Sequence, residues 1–358
     1  MPSDIVELAS RLVAIESINP GLVAGGSGER EAAQAVAEWC ERRGFEVTIV
    51  GDERPSVIAR RRATHAGGRS LLLNGHLDTV GVAGMTAPFE PRVEGGRLYG
   101  RGAFDMKGAV AACLVAAAEI DADVVVTAVA DEELASVGTV AVLERVRADA
   151  AIVAEPTDLQ VAVAHRGFVG FEIETAGIAA HGSMPQLGDD AIRKIGPVLV
   201  ALDELDVRLQ AGARHPLAGT GAIHASVIEG GQEMSSFPAR CVLLGERRTI
   251  PGETLDDVER ELHELAGGAE VRVVAHRDPF EAPPGHEFVQ AVTAAAGVES
   301  VVGAPFWTDA ALIAAAGIPT VLIGPVGEGA HAEVEWVDLA SLERLRDIVA
   351  EVARAWCG

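Results

Sequence analysis

Three consecutive acidic residues, Asp131-Glu132-Glu133, directly follow a largely apolar run at residues 124–130. An apolar run of this length predicts a buried strand. Carboxylates buried without a partner are strongly unfavourable, and a metal ion is the simplest partner for several of them. The acids therefore predict a cationic site at the end of a core strand. Because the side chains of adjacent residues diverge, we expect Glu132 and Glu133 to have different roles. One would coordinate the metal, and the other would transfer protons.

Three more predicted strands end in groups of this kind. Residues 71–74 lead into His76 and Asp78, residues 150–154 lead into Glu155, and residues 321–323 run into a loop that carries His331. In open α/β sheets, ligands bind beyond the carboxyl ends of the strands. Each group alone has an ordinary explanation, such as a capped turn or an acidic helix N-terminus. Four such groups at one edge of a sheet indicate a metal site.

Two local patterns refine this prediction. His76 and Asp78 lie on the same face of an extended backbone. The Asp78 carboxylate is therefore expected to accept the imidazole N–H and to orient His76 toward a metal. Asp105 lies in a glycine-rich segment, residues 100–108, that lacks the spacing of a phosphate-binding loop. An acid there would repel phosphate, which favours metal ligation.

The order of predicted elements indicates an α/β fold with an inserted domain. Apolar strands alternate with helices through residue 167, as in a mostly parallel sheet covered on both faces. From residue 168 the order becomes β-α-β-β-α-β, which is typical of a ferredoxin-like unit. After Pro283-Pro284 the α/β pattern resumes. The predicted boundaries are 1–167 and 280–358 for a catalytic domain and 168–279 for the inserted α+β domain.

Composition limits the classes of partner and compartment. A net charge of −24 argues against nucleic acid, because phosphates would be repelled. No apolar run approaches the roughly 20 residues of a membrane span, and no signal peptide is visible at the start. The four cysteines are widely spaced, which argues against disulfides and zinc-thiolate sites. We therefore expect a cytoplasmic protein without membrane or nucleic-acid partners.

Five motifs in order resemble the M20-type metallopeptidases and deacylases, over essentially the whole chain. They are His76-x-Asp78, Asp105-Met106-Lys107-Gly108, Asp131-Glu132-Glu133, Glu155-Pro156-Thr157 and Ala330-His331. This family includes acetylornithine deacetylase, succinyl-diaminopimelate desuccinylase and the glutamate carboxypeptidases. The resemblance implies a zinc-peptidase-like catalytic domain and an inserted lid and dimerisation domain.

The resemblance also implies a site with two zinc ions, which cobalt or manganese would fit as well. His76 and Glu155 would hold one metal, Glu133 and His331 the other, and Asp105 would bridge them. Glu132 would be the general base for a metal-activated water that attacks an amide carbonyl. The family pattern further implies a cis peptide bond after Asp105.

The inserted domain contains residues that resemble substrate-binding motifs of the family. His181 would stabilise the oxyanion, often from the partner subunit of a dimer; a surface histidine is the alternative. Arg248 would bind a substrate carboxylate; an ion pair within the domain is the alternative. Ser235 stands where many relatives have asparagine, and with a shorter side chain it would have to make that residue's contact with the oxyanion or the substrate carboxylate. Phe306 and Trp307 stand where many relatives have two glycines, and the two aromatic side chains would narrow the pocket or offer an apolar or cation–π wall.

These features predict a zinc-dependent amidohydrolase that removes the acyl group from an N-acyl amino acid, in the manner of acetylornithine deacetylase or succinyl-diaminopimelate desuccinylase. A dipeptidase or carboxypeptidase of the same family is the main alternative, with a short peptide as substrate. A non-catalytic binding protein on this fold would normally lack a ligand or the base, and here all are present. A homodimer through the inserted domain is expected.

Overall fold

The computed structural model describes residues 3–64, 68–82 and 84–358. The chain forms two compact units. The first extends to Val163 and resumes at Ala282–Val302 and Thr308–Gly358; the second comprises Ala164–Glu281 and Gly303–Trp307. Residues 303–307, expected in the catalytic domain, group with the inserted unit instead. The Trp307 indole N–H donates to the carbonyl of Asp278 at 3.0 Å, which ties this segment to the second unit.

The helices within the described residues are α1 (Asp4–Val13), α2 (Arg30–Arg42), α3 (Gly108–Glu119), α4 (Val137–Leu143), α5 (Ala191–Ala211), α6 (Leu255–Ala266), α7 (Glu287–Ala296), α8 (Ala310–Ala315) and α9 (Leu339–Cys357). A distorted helical turn, Ala103–Lys107, precedes α3. Helix α3 is built from small apolar residues on all sides and is buried from Gly108 to Ala117, so it is a central helix of the first unit. No helix within the described ranges is long and apolar enough to cross a membrane.

The strands within the same ranges are β1 (Glu46–Val50), β2 (Ser56–Arg61), β3 (Leu71–His76), β4 (Arg92–Glu94), β5 (Arg97–Tyr99), β6 (Val124–Val129), β7 (Ala150–Val153), β8 (Ala162–His165), β9 (Gly167–Ala176), β10 (Arg214–His215), β11 (Gly219–Thr220), β12 (Ala222–Gly230), β13 (Arg240–Thr249), β14 (Glu270–Arg277), β15 (Phe280–Glu281), β16 (Val302–Ala304), β17 (Thr320–Leu322), β18 (Gly327–Glu328) and β19 (Trp336–Asp338).

The first unit is organised around a mixed sheet with the order β1-β2-β6-β3-β7-β17-β8. Strands β6, β3, β7 and β17 are parallel to one another. Every residue of these four strands is buried. Because alternate side chains point to opposite faces, both faces of the sheet are covered. The predicted α/β fold with a mostly parallel core is confirmed.

The second unit contains an antiparallel sheet with the order β12-β13-β9-β14. Helix α5 follows β9 and α6 follows β13, which gives the β-α-β-β-α-β order of a ferredoxin-like unit. Its core is formed by alternate residues of the central strands, including Phe171 and Leu243, and by the apolar stripes of the two helices. Thr254 caps α6 in a capping box with Asp257, which explains where that helix begins.

Candidate metal centre

The four parallel strands of the first unit end at one edge of the sheet, and each end supplies charged side chains. In chain order these are His76 at the end of β3, Asp131, Glu132 and Glu133 after β6, Glu155 after β7, and His331 after β17. Strands β18 and β19 pair with each other, and the loop between them carries His331. The sheet edge predicted from the sequence is where these side chains lie.

His76, Asp105 and Glu155 form the first group of candidate ligands. Their ligand atoms lie within 4.8 Å of one another. His76 Nε2 is 3.0 Å from Asp105 Oδ1 and 3.9 Å from Glu155 Oε1. His76 Nδ1–H donates to the backbone carbonyl of Asp78 at 2.9 Å. Because a carbonyl only accepts, this bond places a proton on Nδ1 and turns Nε2 toward the two carboxylates.

Asp105, Glu133 and His331 form the second group, again with ligand atoms within 4.8 Å. His331 Nε2 is 3.4 Å from Asp105 Oδ2 and 3.1 Å from Glu133 Oε1. The two carboxylate oxygens of Asp105 thus face different histidines, as a bridging ligand requires. The side chain of His331 is 54% exposed, whereas that of His76 is 1% exposed. The second group therefore opens to solvent, and the first is closed.

Asp105 lies in the distorted turn before α3. The Asp105–Met106 peptide bond is cis, in agreement with the family pattern. The carboxylate of Glu335 accepts the backbone N–H groups of Gly102, Phe104 and Asp105 at 2.9–3.1 Å. The turn that presents the shared ligand is thus held by one buried acid.

The Asp78 carboxylate has a different role from the one expected. Its Oδ1 lies 3.6 Å from His76 Nδ1, so the backbone carbonyl of Asp78, and not its carboxylate, accepts from the imidazole. The carboxylate instead accepts the backbone N–H of Glu132 at 3.1 Å and of Glu133 at 3.2 Å. The side-chain amide of Asn19 also donates to it at 2.8 Å. These donors occupy the carboxylate, and they position the two glutamates.

Glu132 belongs to neither ligand group, although its neighbour Glu133 belongs to the second. Burial raises the pKa of Glu132 well above its usual range, and the charge of Glu155 raises it further. The carboxyl group therefore lies within electrostatic reach of the first group. A carboxyl group with a raised pKa suits proton transfer near neutral pH. That Glu132 is the general base stays a prediction.

The side chains alone leave this centre short of positive charge. Burial raises the pKa of Glu155 well above its usual range, and the charges of Asp105 and Glu133 add to the effect. Burial alone would lower the pKa of His76, but the hydrogen bond to Asp105 and the nearby carboxylates raise it well above its usual range. Hydrogen bonds to Asp105 and Glu133 raise the pKa of His331 to about 10. These shifts all favour additional protons between the carboxylates.

This donor set fits two divalent metal ions. Histidine nitrogen and carboxylate oxygen are ligands for zinc, cobalt and manganese. A divalent cation placed between the carboxylates would supply the positive charge that the pKa shifts indicate is missing. Each group offers one histidine and one glutamate of its own, and both share Asp105.

His181 and Ser235 lie on neighbouring loops of the second unit. The Gly182 N–H donates to the carbonyl of Ser235 at 2.6 Å, and His181 Nδ1 lies 2.8 Å from Ser183 Oγ. His181 and Ser235 are both exposed to solvent. Their contacts with substrate stay predictions.

Arg248 and Trp307 have partners within the second unit. Arg248 Nε donates to Glu246 at 2.6 Å, and its guanidinium carbon lies 5.3 Å from the centre of the Phe168 ring. The ion pair considered as the alternative for Arg248 is therefore present. Trp307 packs edge-on against His165, with ring centres 6.1 Å apart. Both residues remain partly exposed, and their contacts with substrate stay predictions.

Three residues that support the centre were not predicted from the sequence: Asn19, Arg54 and Glu335. Arg54 Nη1 lies 2.9 Å from Asp131 Oδ1, so the first of the three acids after β6 is in a buried ion pair. Asn19 and Arg54 lie far from the metal motifs in the chain and carry no pattern of their own. Glu335 follows His331 by four residues, and this closeness was the available signal.

Comparisons with known proteins agree with this architecture. The model of Peptidase family M20/M25/M40 matches residues 72–355. Acetylornithine deacetylase from Proteus mirabilis is 30% identical over an alignment that covers 98% of this chain and 96% of that protein.

Two solved structures illustrate the shared fold. A metallo-carboxypeptidase of the M20 family from Sulfolobus solfataricus superposes with a TM-score of 0.80 at 19% identity, covering 99% of both chains. A dinuclear metal-binding peptidase of the M20 family from Bacillus subtilis superposes with a TM-score of 0.73 at 18% identity, covering 98% of this chain and 96% of that one.

Proposed function

The chain belongs to peptidase family M20/M25/M40, and on that premise we propose that it is a deacylase that hydrolyses the amide bond of an N-acyl amino acid. One observation carries the proposal. Two adjoining ligand groups share Asp105, while Glu132 lies beside them without being part of either. Amide hydrolysis needs a site for metal and a separate acid–base group, and this arrangement contains both.

We propose zinc as the resident metal, with cobalt or manganese as substitutes. His76 and Glu155 would hold one ion, Glu133 and His331 would hold the other, and Asp105 would contact both. When bound, two such ions polarise an amide carbonyl and lower the pKa of water. The closed first group would hold its ion more tightly than the second, because His331 is exposed.

Glu132 would act as the general base and then as the general acid. In the first step its carboxylate takes a proton from the attacking water. In the second it gives that proton to the leaving amine nitrogen, which departs as a neutral amine. Asp78 fixes the backbone of Glu132 through the hydrogen bond at 3.1 Å, so the carboxylate has a defined starting point for both transfers.

Four residues of the second unit would bind the substrate. His181 would stabilise the oxyanion that forms at the attacked carbonyl, and the neighbouring Ser235 would add a hydroxyl donor. Arg248 would pair with the substrate carboxylate, at the expense of its contact with Glu246. Trp307 would form an apolar wall. The family resemblance supports these roles, and the exposure of His181 and Ser235 leaves them available.

The deacylase is favoured over the peptidase by the sequence comparison. The relative that is 30% identical along nearly the whole chain is an acetylornithine deacetylase. The structural neighbours named above are peptidases, but at identities below 20% they share the fold alone. A dipeptidase or carboxypeptidase that acts on a short peptide is therefore the second candidate.

We also propose a homodimer through the second unit and a cytoplasmic location. Strand β12 is an edge of its sheet, and seven consecutive residues of it are exposed. Helix α5, which packs beside β12, exposes Val200 and Val207. An edge strand beside exposed apolar side chains is a surface that a second copy would cover. The buried, free cysteines of the described residues suit a reducing compartment.

The experiment that tests this function is a substrate comparison with purified protein. N-acetylornithine, N-succinyl-diaminopimelate, other N-acyl amino acids and dipeptides are offered at equal concentration, and amine release is measured. The proposal predicts faster turnover of an N-acyl amino acid than of any dipeptide, loss of turnover with a chelator, and recovery with zinc. Turnover of dipeptides alone would support the second candidate. Metal uptake without any turnover would indicate a binding protein.

A further inference from the structure

Arg54 lies between two buried carboxylates of the first unit. Its Nε and Nη2 donate to both oxygens of Glu29, and its Nη1 lies 2.9 Å from Asp131 Oδ1. The side chains of Glu29 and Asp131 are almost entirely buried, at 0% and 3% exposure. A guanidinium held by one acid in a bidentate pair has a fixed position. The guanidinium of Arg54 is thus held in place beside Asp131, the first of the three acids after β6.

Asp131 has a backbone conformation that needs support. Its φ of 68° lies in the left-handed region, which is unfavourable for a residue with a side chain. Two donors hold its carboxylate, Arg54 and the side-chain amide of Asn19, the latter at 2.9 Å. The same amide donates to Asp78. The carbonyl of Asp131 also accepts the backbone N–H of Ala135 at 3.0 Å, so backbone and side-chain contacts together fix the direction in which the chain leaves Asp131.

The contacts continue from Asp131 to the two residues that follow it. Asp78, which shares the Asn19 amide with Asp131, accepts the backbone N–H of Glu132 and of Glu133. The three neighbours are thus held by one hydrogen-bonded network with Arg54 at its outer end. Glu155 follows another strand, and His76 meets this network at the backbone carbonyl of Asp78, not at the carboxylate that holds the two glutamates.

We infer that Arg54 is a positioning residue which, through Asp131, fixes the placement of Glu132 and Glu133. The inference rests on the proposed function for the roles of these glutamates as base and ligand. Without Arg54, the Asp131 carboxylate would be buried with one amide donor, and the left-handed turn would lose the ion pair that holds it. The effect should fall on the second ligand group and on proton transfer, and less on the first group.

The test compares Arg54→Gln and Asp131→Asn with Arg43→Gln, a control that removes a different arginine–aspartate pair of the first unit, Arg43 Nη2 to Asp4 Oδ2 at 3.2 Å. Metal-free proteins are titrated with Co²⁺ and followed by visible absorption, and kcat and KM are measured with the best N-acyl substrate. We expect Arg54→Gln and Asp131→Asn each to weaken binding of the second equivalent of Co²⁺ and to lower kcat by about 10- to 100-fold. KM should change little, and the first equivalent should bind as in the wild type.

Arg43→Gln should leave both readouts within about twofold of wild type, the range of ordinary surface substitutions. Arg54→Lys should recover part of kcat, because its ammonium still reaches Asp131. The double variant Arg54→Gln/Asp131→Asn should be no worse than the worse single variant, because both act on one contact. Equal losses in Arg43→Gln, additive losses in the double variant, or unchanged binding of the second Co²⁺ equivalent in Arg54→Gln would each overturn the inference.

Failure of the proposed function would look different. If the wild-type protein hydrolyses no amide but binds two equivalents of Co²⁺, the proposed function is wrong, and the Co²⁺ titration still decides the role of Arg54. If Arg54→Gln does not fold, Asp131→Asn removes the same ion pair with a side chain of equal size and provides the test.

Discussion

The carboxylate of Glu335 accepts the backbone N–H of Asp105 at 3.1 Å. It also binds the guanidinium of Arg101 at 2.6 Å, and Arg101 donates to the carbonyl of Ala332 at 2.9 Å. Glu335 and Ala332 lie in the loop of His331, whereas Asp105 lies in the turn before α3. This pair of residues therefore joins the two segments that supply the second ligand group.

The first prediction concerns this connection. Glu335→Gln keeps one oxygen that can accept but replaces the other by an NH2 group, which cannot accept from the donors that oxygen now binds. It also leaves Arg101 buried without its counter-charge. Breaking a buried ion pair of this kind costs about 3–5 kcal/mol. Urea unfolding should show a loss of that order in the free energy of unfolding.

Glu333→Gln is the control for the first prediction, because Glu333 is an exposed acid of the same loop. It should change the free energy of unfolding by less than about 0.5 kcal/mol. Equal stability of Glu335→Gln and the wild type would show that the Glu335–Asp105 connection does not hold the two segments together.

The second prediction separates the neighbours Glu132 and Glu133. Glu132→Gln should lower kcat by about 10²- to 10⁴-fold, the usual contribution of general acid–base catalysis, and should keep both equivalents of metal. Glu133→Gln should lose the second equivalent, because Glu133 is one of three groups around that position. Metal content by elemental analysis, measured beside kcat, distinguishes the two. Loss of metal in Glu132→Gln would make it a ligand and would leave the base unassigned.

The positions of the candidate ligands could be predicted from the sequence, but the residues that hold them in place could not. His76, Glu155 and His331 follow buried strands, and the carboxyl ends of parallel strands share an edge whatever the details of packing. The acceptor for His76 Nδ1 was predicted wrongly, because two-residue spacing cannot show that loop N–H groups occupy the Asp78 carboxylate. Arg54 reaches Asp131 across 77 positions of chain through a tertiary contact that no local periodicity encodes.

The third prediction is that removal of metal destabilises the first unit. Burial raises the pKa of Glu155 and of Glu132, and repulsion from the neighbouring acids at the sheet edge raises it further. A bound ligand stabilises the folded state by about 2.7 kcal/mol when its concentration is one hundred times its Kd. A chelator should therefore lower the melting temperature by several degrees, and excess zinc should restore it. An unchanged melting temperature after metal loss, verified by elemental analysis, would contradict the proposed centre.

The last prediction concerns the second unit. Val200 and Val207 are exposed on α5, at 60% and 63%. If a second copy covers this helix, Val200→Asp and Val207→Asp together would place buried charges in the interface, and light scattering should show a shift from dimer to monomer. The fold of the single chain should survive, because exposed substitutions rarely change stability by more than about 0.5 kcal/mol. If His181 acts on the substrate of the partner subunit, the monomer should lose kcat together with the dimer. A wild-type protein that is already monomeric would instead require His181 to act within its own chain.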